Sequence, residues 1–286
     1  VKADLVLDCG NQHGEGVLWN PRDNRLWWTD IHGQRIHWHD PGTNLSGSQD
    51  LPHRLCAFAP RARGGWIMAF ANGVELWSAD WQPEQTLHAF EPDNRATRLN
   101  DGRTDRQGRF VVGGMNEGTG SADSSVIRVN ADLSVETLIT DVACANSTCF
   151  SPDGRTMYFA DTPDRRIRAY PYGDVVGAPR DLIDMAAETG LPDGSCVDAE
   201  GGVWNAEWDG GQVIRIAPDG SITHRIAVPV PKPTCCAFGG PDLATLYITT
   251  SRLGMSEADL AKTPLSGGLF AVTPGVKGIA DAAFAG

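Results

Sequence analysis

The chain has 286 residues, 36 of them acidic against 24 basic, and a formal net charge of −12. With no basic block, that balance argues against nucleic-acid binding, which needs Lys and Arg clustered on phosphates. No apolar run is long enough for a transmembrane helix, and the frequent glycine and proline between short runs of Val, Ile, Trp, Phe and Thr indicate strands and turns.

In chain order, residues 4–9 alternate and read as a strand that precedes the first repeat and pairs with the last one. Six repeats follow, at about 15–45, 53–90, 97–140, 145–184, 192–228 and 232–273. The clearest is the fifth, with GSCVDA, GVWNAEW, QVIRIA and ITHRIAV joined by AEGG, DGG and PDGS turns. Three segments interrupt the pattern. NEGTGSADS (116–124) is polar and glycine-rich, a flexible loop and a lid candidate. DMAAETGL (184–191) has the composition of a short helix. GMSEADLAKTPLSG (254–267) predicts one or two helical turns starting at Ser256, with Glu257 and Asp259 in the first turn. The tail after 274 holds one short extended segment at best.

The turn positions Asn24, Gly65, Gly108, Gly154, Gly201 and Leu243 are spaced by 41 to 47 residues, the period of a propeller blade. The fold class expected is therefore all-β: a six-bladed β-propeller closed by the N-terminal strand, one domain over 1–286. Closure removes exposed sheet edges.

The phase of the repeat selects the candidate site. Eight residues before the turn lie Asn100, Asn146 and Asp193, and nine before it lies Glu15; the other two copies give Ala57 and Cys235. Equivalent positions in a radial repeat point at the central axis. Two carboxylates and two carboxamides there form an oxygen cage for a divalent cation. Each has a plainer reading: an exposed turn glutamate between two glycines, turn residues in Asn-Asp-Gly and Pro-Asp-Gly, and an asparagine bonded to its own backbone. Asp101 is the alternative inward residue to Asn100. Arg98 shares a strand face with Asn100 and is placed to bind substrate oxygens. A hard cation with open positions suits hydrolysis of an activated ester, with Asp193 taking a proton from water.

Other candidates are weaker. His37 and His39 alternate on one strand, but without a third histidine or an HExxH pattern zinc is not expected there. Asp30 and Asp161 end second strands and read as turn residues. Ser147 and Ser195 have no histidine near in sequence, and no GxSxG elbow occurs. Trp204 and Trp208 read as core before sugar-stacking wall. Seven cysteines, an odd number without CxxC spacing, are expected as reduced, buried thiols. The first residues, VKADLVLDCG, lack a basic region and long apolar core, so the expected compartment is cytoplasmic. A monomer or weak homo-oligomer is expected.

Five blocks, HGEGVLWN, RLNDGRTDRQGRFVVGGM, NSTCFSPDGRTMYFADT, LPDGSCVDAEGGVWNAEW and CAFGGPDLATLYITTSR, together resemble the SMP-30/gluconolactonase family, which includes regucalcin and the bacterial sugar lactonases. The resemblance spans nearly the whole chain. It implies a six-bladed propeller with one divalent cation (calcium, magnesium, manganese or zinc). The implied ligands are Glu15, Asn146 and Asp193, with Asp193 also the general base. Arg98, Asn100 and Glu117 are the implied substrate-binding residues. The family's usual Asn-Gly is Asn146-Ser147 here, with a slight shift of geometry expected. The nearest flavour is that of L-arabinono- and galactono-lactonases. The activity implied is opening of a 1,4- or 1,5-aldonolactone, a small-molecule substrate, to the aldonic acid. The alternatives are an organophosphate or aryl-ester hydrolase on the same metal and a non-catalytic calcium-binding propeller.

Overall fold

The computed structural model describes residues 1–286. Six four-stranded antiparallel sheets surround a central channel, each laid down from the channel outward. Blade one is β2 (Gly14–Asn20), β3 (Arg25–Asp30), β4 (Arg35–Asp40) and β5 (Leu45–Asp50), preceded by β1 (Asp4–Leu7). Blade two is β6 (Leu55–Pro60), β7 (Trp66–Phe70), β8 (Gly73–Trp77) and β9 (Pro83–Ala89). Blade three is β10 (Thr97–Thr104), β11 (Phe110–Asn116), β12 (Ser124–Val129) and β13 (Val135–Val142). Blade four is β14 (Ala145–Phe150), β15 (Thr156–Asp161), β16 (Arg166–Pro171) and β17 (Arg180–Asp184). Blade five is β18 (Leu191–Val197), β19 (Val203–Trp208), β20 (Gln212–Ile216) and β21 (Ile222–Ala227). Blade six is β22 (Pro233–Gly239), β23 (Thr245–Thr250) and β24 (Leu269–Val272), completed on its outer edge by β1, with Asp4 opposite Ala271 and Leu5 opposite Phe270. The first and last strands of the chain thus close the ring, as the alternation in 4–9 predicts.

Burial falls from hub to rim. All residues of β14 and β22 are buried, whereas most of β5 is exposed. The inner strands lie between two neighbouring sheets and carry apolar or hydrogen-bonded residues on both faces. Between blades, apolar faces interlock: Trp28 and Trp204 are fully buried, each contributing on the order of 3 kcal/mol of apolar burial. Trp204 also donates through Nε1 to Asp198 at 2.8 Å, so its polar end is satisfied.

The repeat has a backbone signature. All six turn positions, Asn24, Gly65, Gly108, Gly154, Gly201 and Leu243, have positive φ, between 53° and 84°. That left-handed residue reverses the chain between the first and second strands. A second signature lies at the hub. The pairing of every innermost strand slips at the same place: at Glu15/Leu18, Leu55/Ala57, Leu99/Gly102, Asn146/Cys149, Pro192/Ser195 and Pro233/Cys235. A bulge there re-aims side chains away from the normal alternation, and the phase-selected residues sit on these bulges.

The helix expected after Ser256 is present as α1 (Glu257–Lys262), closed by a capping box between Ser256 and Asp259. The helix expected over 184–191 is not: after β17 the segment is a series of turns. The Arg165 guanidinium explains why. Its Nη2 donates to the carbonyls of Met185, Glu188 and Gly190, and a helix would direct those oxygens along its own axis. All seven cysteines are free thiols. The tail adds no strand but crosses the lower face, where Phe284 is fully buried and Asp281 pairs with Arg103 near the channel axis. No helix is long and apolar enough to cross a membrane.

Candidate active site

The upper end of the channel opens into a cavity of about 190 Å³. Glu15, Arg98, Asn100, Asn146 and Asp193 all line it, from blades one, three, four and five. The structure thus brings together five of the six site residues the sequence suggests; Glu117 stands behind Arg98.

The two carboxylates are buried and short of partners. Glu15 Oε2 accepts only from the adjacent Gly16 amide, at 3.1 Å. No side chain donates to Asp193, and the nearby Gly194 amide is its one favourable hydrogen-bond contact. Burial, reinforced by the Asp101 charge, pushes Glu15 up to about 8. Burial, then the charges of Glu15 and Asp101, pushes Asp193 well above the usual carboxylate range. These are two buried acids that repel one another.

The asparagines differ. Asn146 donates through Nδ2 to Thr162 Oγ1 at 2.8 Å, which turns its Oδ1 to the cavity side, 3.4 Å from Asn100 Nδ2. Asn100 donates through Nδ2 to the Ala145 carbonyl at 2.9 Å, and its Oδ1 accepts from Arg98 Nη1 at 2.8 Å. Those two partners fix the amide, since reversing it would set NH₂ against a guanidinium and oxygen against a carbonyl. The fourth oxygen of the expected cage is therefore taken: Asn100 turns to the cavity side an N–H whose one protein contact is the long 3.4 Å approach to Asn146 Oδ1, leaving Glu15, Asn146 and Asp193.

Arg98 is held by Glu117, whose Oε2 accepts from its Nε at 2.8 Å, and by the Leu99 carbonyl. Its Nη2 has no protein acceptor. Both Glu117 oxygens are engaged, because Arg54 donates to each. Burial alone would raise Glu117, but hydrogen bonds from Arg54 and Arg98 take it down to about 2. Glu117 does not line the cavity; it fixes the guanidinium that does. The 116–124 segment expected as a lid candidate is pinned at its base: Asn116 Oδ1 accepts from the Gly118 and Thr119 amides, and its Nδ2 donates to Asp123.

Several further residues shape the site. Asp101, the alternative inward residue, is buried and accepts from the Thr148 amide at 2.8 Å; it acts on the two cavity acids through charge. Asn205 is fully buried, and its Nδ2 reaches the Asp193 carbonyl, Ser147 Oγ and Ser195 Oγ. Ser147 donates to the same Asp193 carbonyl at 2.8 Å. Ser147 has φ 61°, matching Gly16 at 58° after Glu15. Its hydroxyl, which glycine lacks, ties blade four to the bulge of blade five. His13 and Trp208 also line the cavity. The expectation that Trp208 is core is corrected here, whereas Trp204 is core as expected. Trp208 ends β19 at the upper rim, edge-on to His13 at 5.6 Å with Lys232 over its ring at 4.1 Å. Burial, then the Arg98 charge, lowers His13 to about 3.

The remaining candidates have structural roles. Asp30 accepts from the Gln12, His13 and Gly33 amides, and Asp161 from those of Ala143 and Cys144. Each clamps the chain entering its inner strand, in line with the turn reading. His37 stacks on Trp28, and His39 pairs with Ser46. No group of three or more His, Cys, Asp and Glu side chains is arranged to hold a metal, so the hub set is two carboxylates with carboxamide oxygen.

Six four-stranded blades closed into a ring, with buried acids facing a small cavity at one mouth, define a β-propeller with its candidate site at the channel mouth. A family model of the SMP-30/Gluconolactonase/LRE-like region matches residues 13–252, and the chain belongs to this family. It is 38% identical over 277 residues to 6-deoxy-6-sulfogluconolactonase of Pseudomonas putida, covering 96% of this chain and 95% of that one. It is likewise 38% identical to L-arabinolactonase of Azospirillum brasilense, covering 100% and 96%. The crystal structure of a calcium-binding protein, regucalcin, from Agrobacterium tumefaciens superposes with a TM-score of 0.94 at 29% identity, covering 99% of this chain and 97% of that one.

Proposed function

We propose that this protein is a divalent-metal-dependent hydrolase that opens an aldono-1,4- or 1,5-lactone to the aldonic acid. The observation that carries the reading is the meeting, in one small cavity, of two buried acids without counter-ions and a guanidinium with a free N–H. Relatives named as lactonases of sugar acids support it.

The donor set fits a hard cation. Glu15, Asp193 and Asn146 Oδ1 present oxygens, and the nearest guanidinium is already neutralised by Glu117. Two acids crowded without cationic partners are costly when ionised, and a divalent ion is the natural compensation. Oxygen donors favour calcium, magnesium or manganese. Such an ion would supply Lewis acidity to the ester carbonyl and lower the pKa of a bound water.

The chain's own residues carry the rest. Arg98 Nη2 and Asn100 Nδ2 donate to substrate oxygens and orient the ring. Asp193 takes a proton from the attacking water as the water oxygen bonds to the carbonyl carbon. When the ring C–O bond breaks, the leaving alkoxide regains a proton from Asp193, and the product is the open hydroxy acid. Asn205 and Ser147 hold the Asp193 backbone, so its carboxylate keeps its direction through the cycle. Glu117 acts through Arg98 as a positioning residue.

The test is a panel of sugar lactones and aryl esters, followed by proton release, with chelated protein re-supplied with single metals. Metal-restored turnover of sugar lactones with little on aryl esters is expected. Metal-independent turnover, or preference for aryl esters, would refute the reading.

A further inference from the structure

His13 is not used by the reaction outlined above, yet it forms part of the cavity wall. Its ring is fixed by a relay. Ser251 Oγ donates to the Gln12 carbonyl at 3.0 Å, which consumes the only hydroxyl hydrogen. The same oxygen lies 3.0 Å from His13 Nδ1 and accepts from the Leu253 amide. All three contacts of Ser251 Oγ are satisfied together only when Nδ1 carries the proton and donates, which assigns that tautomer to the ring. The neutral ring then has a bare lone pair on Nε2, and Nε2 makes no hydrogen bond to the protein. Trp208 stands edge-on at 5.6 Å and His32 lies tilted at 5.7 Å, so the ring is flanked on two sides.

The rest of the wall explains what it is for. Arg98 Nη2 and Asn100 Nδ2 are donors only, Thr162 Oγ1 gives its hydrogen to the Pro192 carbonyl and accepts from Asn146 Nδ2, and the oxygens of Glu15, Asn146 and Asp193 are the set assigned to the ion and the attacking water. A sugar hydroxyl both accepts and donates, so with those oxygens engaged its hydrogen needs a further acceptor. A buried polar group left unpaired is what most strongly separates one substrate from another.

We propose that His13 is a specificity-determining residue, whose Ser251-fixed Nε2 accepts a hydrogen bond from a ring or side-chain hydroxyl of the sugar lactone. This rests on the lactonase reading for its substrate class. It distinguishes polyhydroxy lactones from unsubstituted ones, which carry the same ester but no hydroxyl.

The test compares L-arabinono-1,4-lactone with γ-butyrolactone on metal-loaded wild type, His13→Ala, His13→Gln and Ser251→Ala. In His13→Ala the ratio of kcat/KM between the two lactones falls about tenfold, mainly through KM. His13→Gln, which keeps an acceptor at similar reach, recovers part of it, and Ser251→Ala gives an intermediate loss. In wild-type protein, ¹⁵N NMR shows His13 with the proton on Nδ1, and Nε2 shifts when L-arabinonate is added. An unchanged ratio, an equal loss on both lactones, or a proton on Nε2 overturns the proposal. If wild type opens neither lactone, the lactonase reading has failed, and the L-arabinonate titration then decides His13 alone: no Nε2 shift overturns it, and a shift sustains it.

Discussion

Replacing Glu15 by Gln isolates the cost of an uncompensated acid at the hub. In cation-free protein the Glu15 carboxyl is held at about 8, against an ordinary value of 4.5. Between those values the unfolded chain has released the proton and the folded chain retains it. Stability contributed by the group is thus full below pH 4.5 and is lost as pH rises toward 8. At about 1.4 kcal/mol per pKa unit, the ceiling on that loss is about 5 kcal/mol. Reorganising water and dipoles in the open cavity screen it substantially, leaving on the order of 2 kcal/mol. Glutamine has the shape of the protonated acid and does not titrate. With chelator present, Glu15→Gln should match wild type near pH 4.5 and melt about 4 °C higher near pH 8.5. Calorimetry across that range is the assay. Adding a divalent cation at about 100 times its Kd should reverse the order, because wild type then gains about 2.7 kcal/mol that the variant does not. A pH-independent difference, or a variant less stable than chelated wild type at pH 8.5, would refute the reasoning.

Asp193→Asn should retain the fold, lose at least 10²-fold in kcat and bind cation far more weakly, measured by turnover and calorimetric titration. Cation binding to wild type at pH 7 should release protons from the raised pair Glu15 and Asp193, so affinity rises with pH; buffers of different ionisation enthalpy count the protons. Ser147→Ala keeps the left-handed strain and loses the tie to Asp193, so it should cost about 2 kcal/mol in chemical denaturation. Ser147→Gly relieves about 1 kcal/mol of that strain and should cost less. Glu117→Gln frees Arg98 and should raise KM several-fold while changing kcat little, since it loosens binding rather than chemistry.

Much of the architecture is legible because the constraint is local and repeated. A left-handed turn residue recurs at Asn24, Gly65, Gly108, Gly154, Gly201 and Leu243, and counting back from it reaches the bulge in each inner strand. The two blades that contribute Ala57 and Cys235 are equally placed in the ring; chemistry, not geometry, sets them apart. What sequence does not carry is direction within a side chain. Asn100 and Asn146 are equivalent by phase, but one amide oxygen is claimed by Arg98 at 2.8 Å and the other has only a long 3.4 Å contact from Asn100. Glu117 is near the site in sequence and space, yet two guanidinia occupy it. His13 precedes Glu15 by two residues, just before β2, and lines the same cavity, a signal available but eclipsed by the acid. Asn205 lies in the most regular repeat, and its role depends on three partners from two blades. The helix expected over 184–191 fails because Arg165, about twenty residues earlier, gathers its carbonyls.

The central claim is that Glu15, Asn146 and Asp193 together hold one divalent ion at the top of the channel. Crystals of the protein grown with Mn²⁺, with diffraction recorded at the manganese edge, test it directly. A single strong anomalous peak about 2.0–2.5 Å from oxygens of all three side chains is expected. A hub without a peak, or a peak bound by other residues, would contradict it.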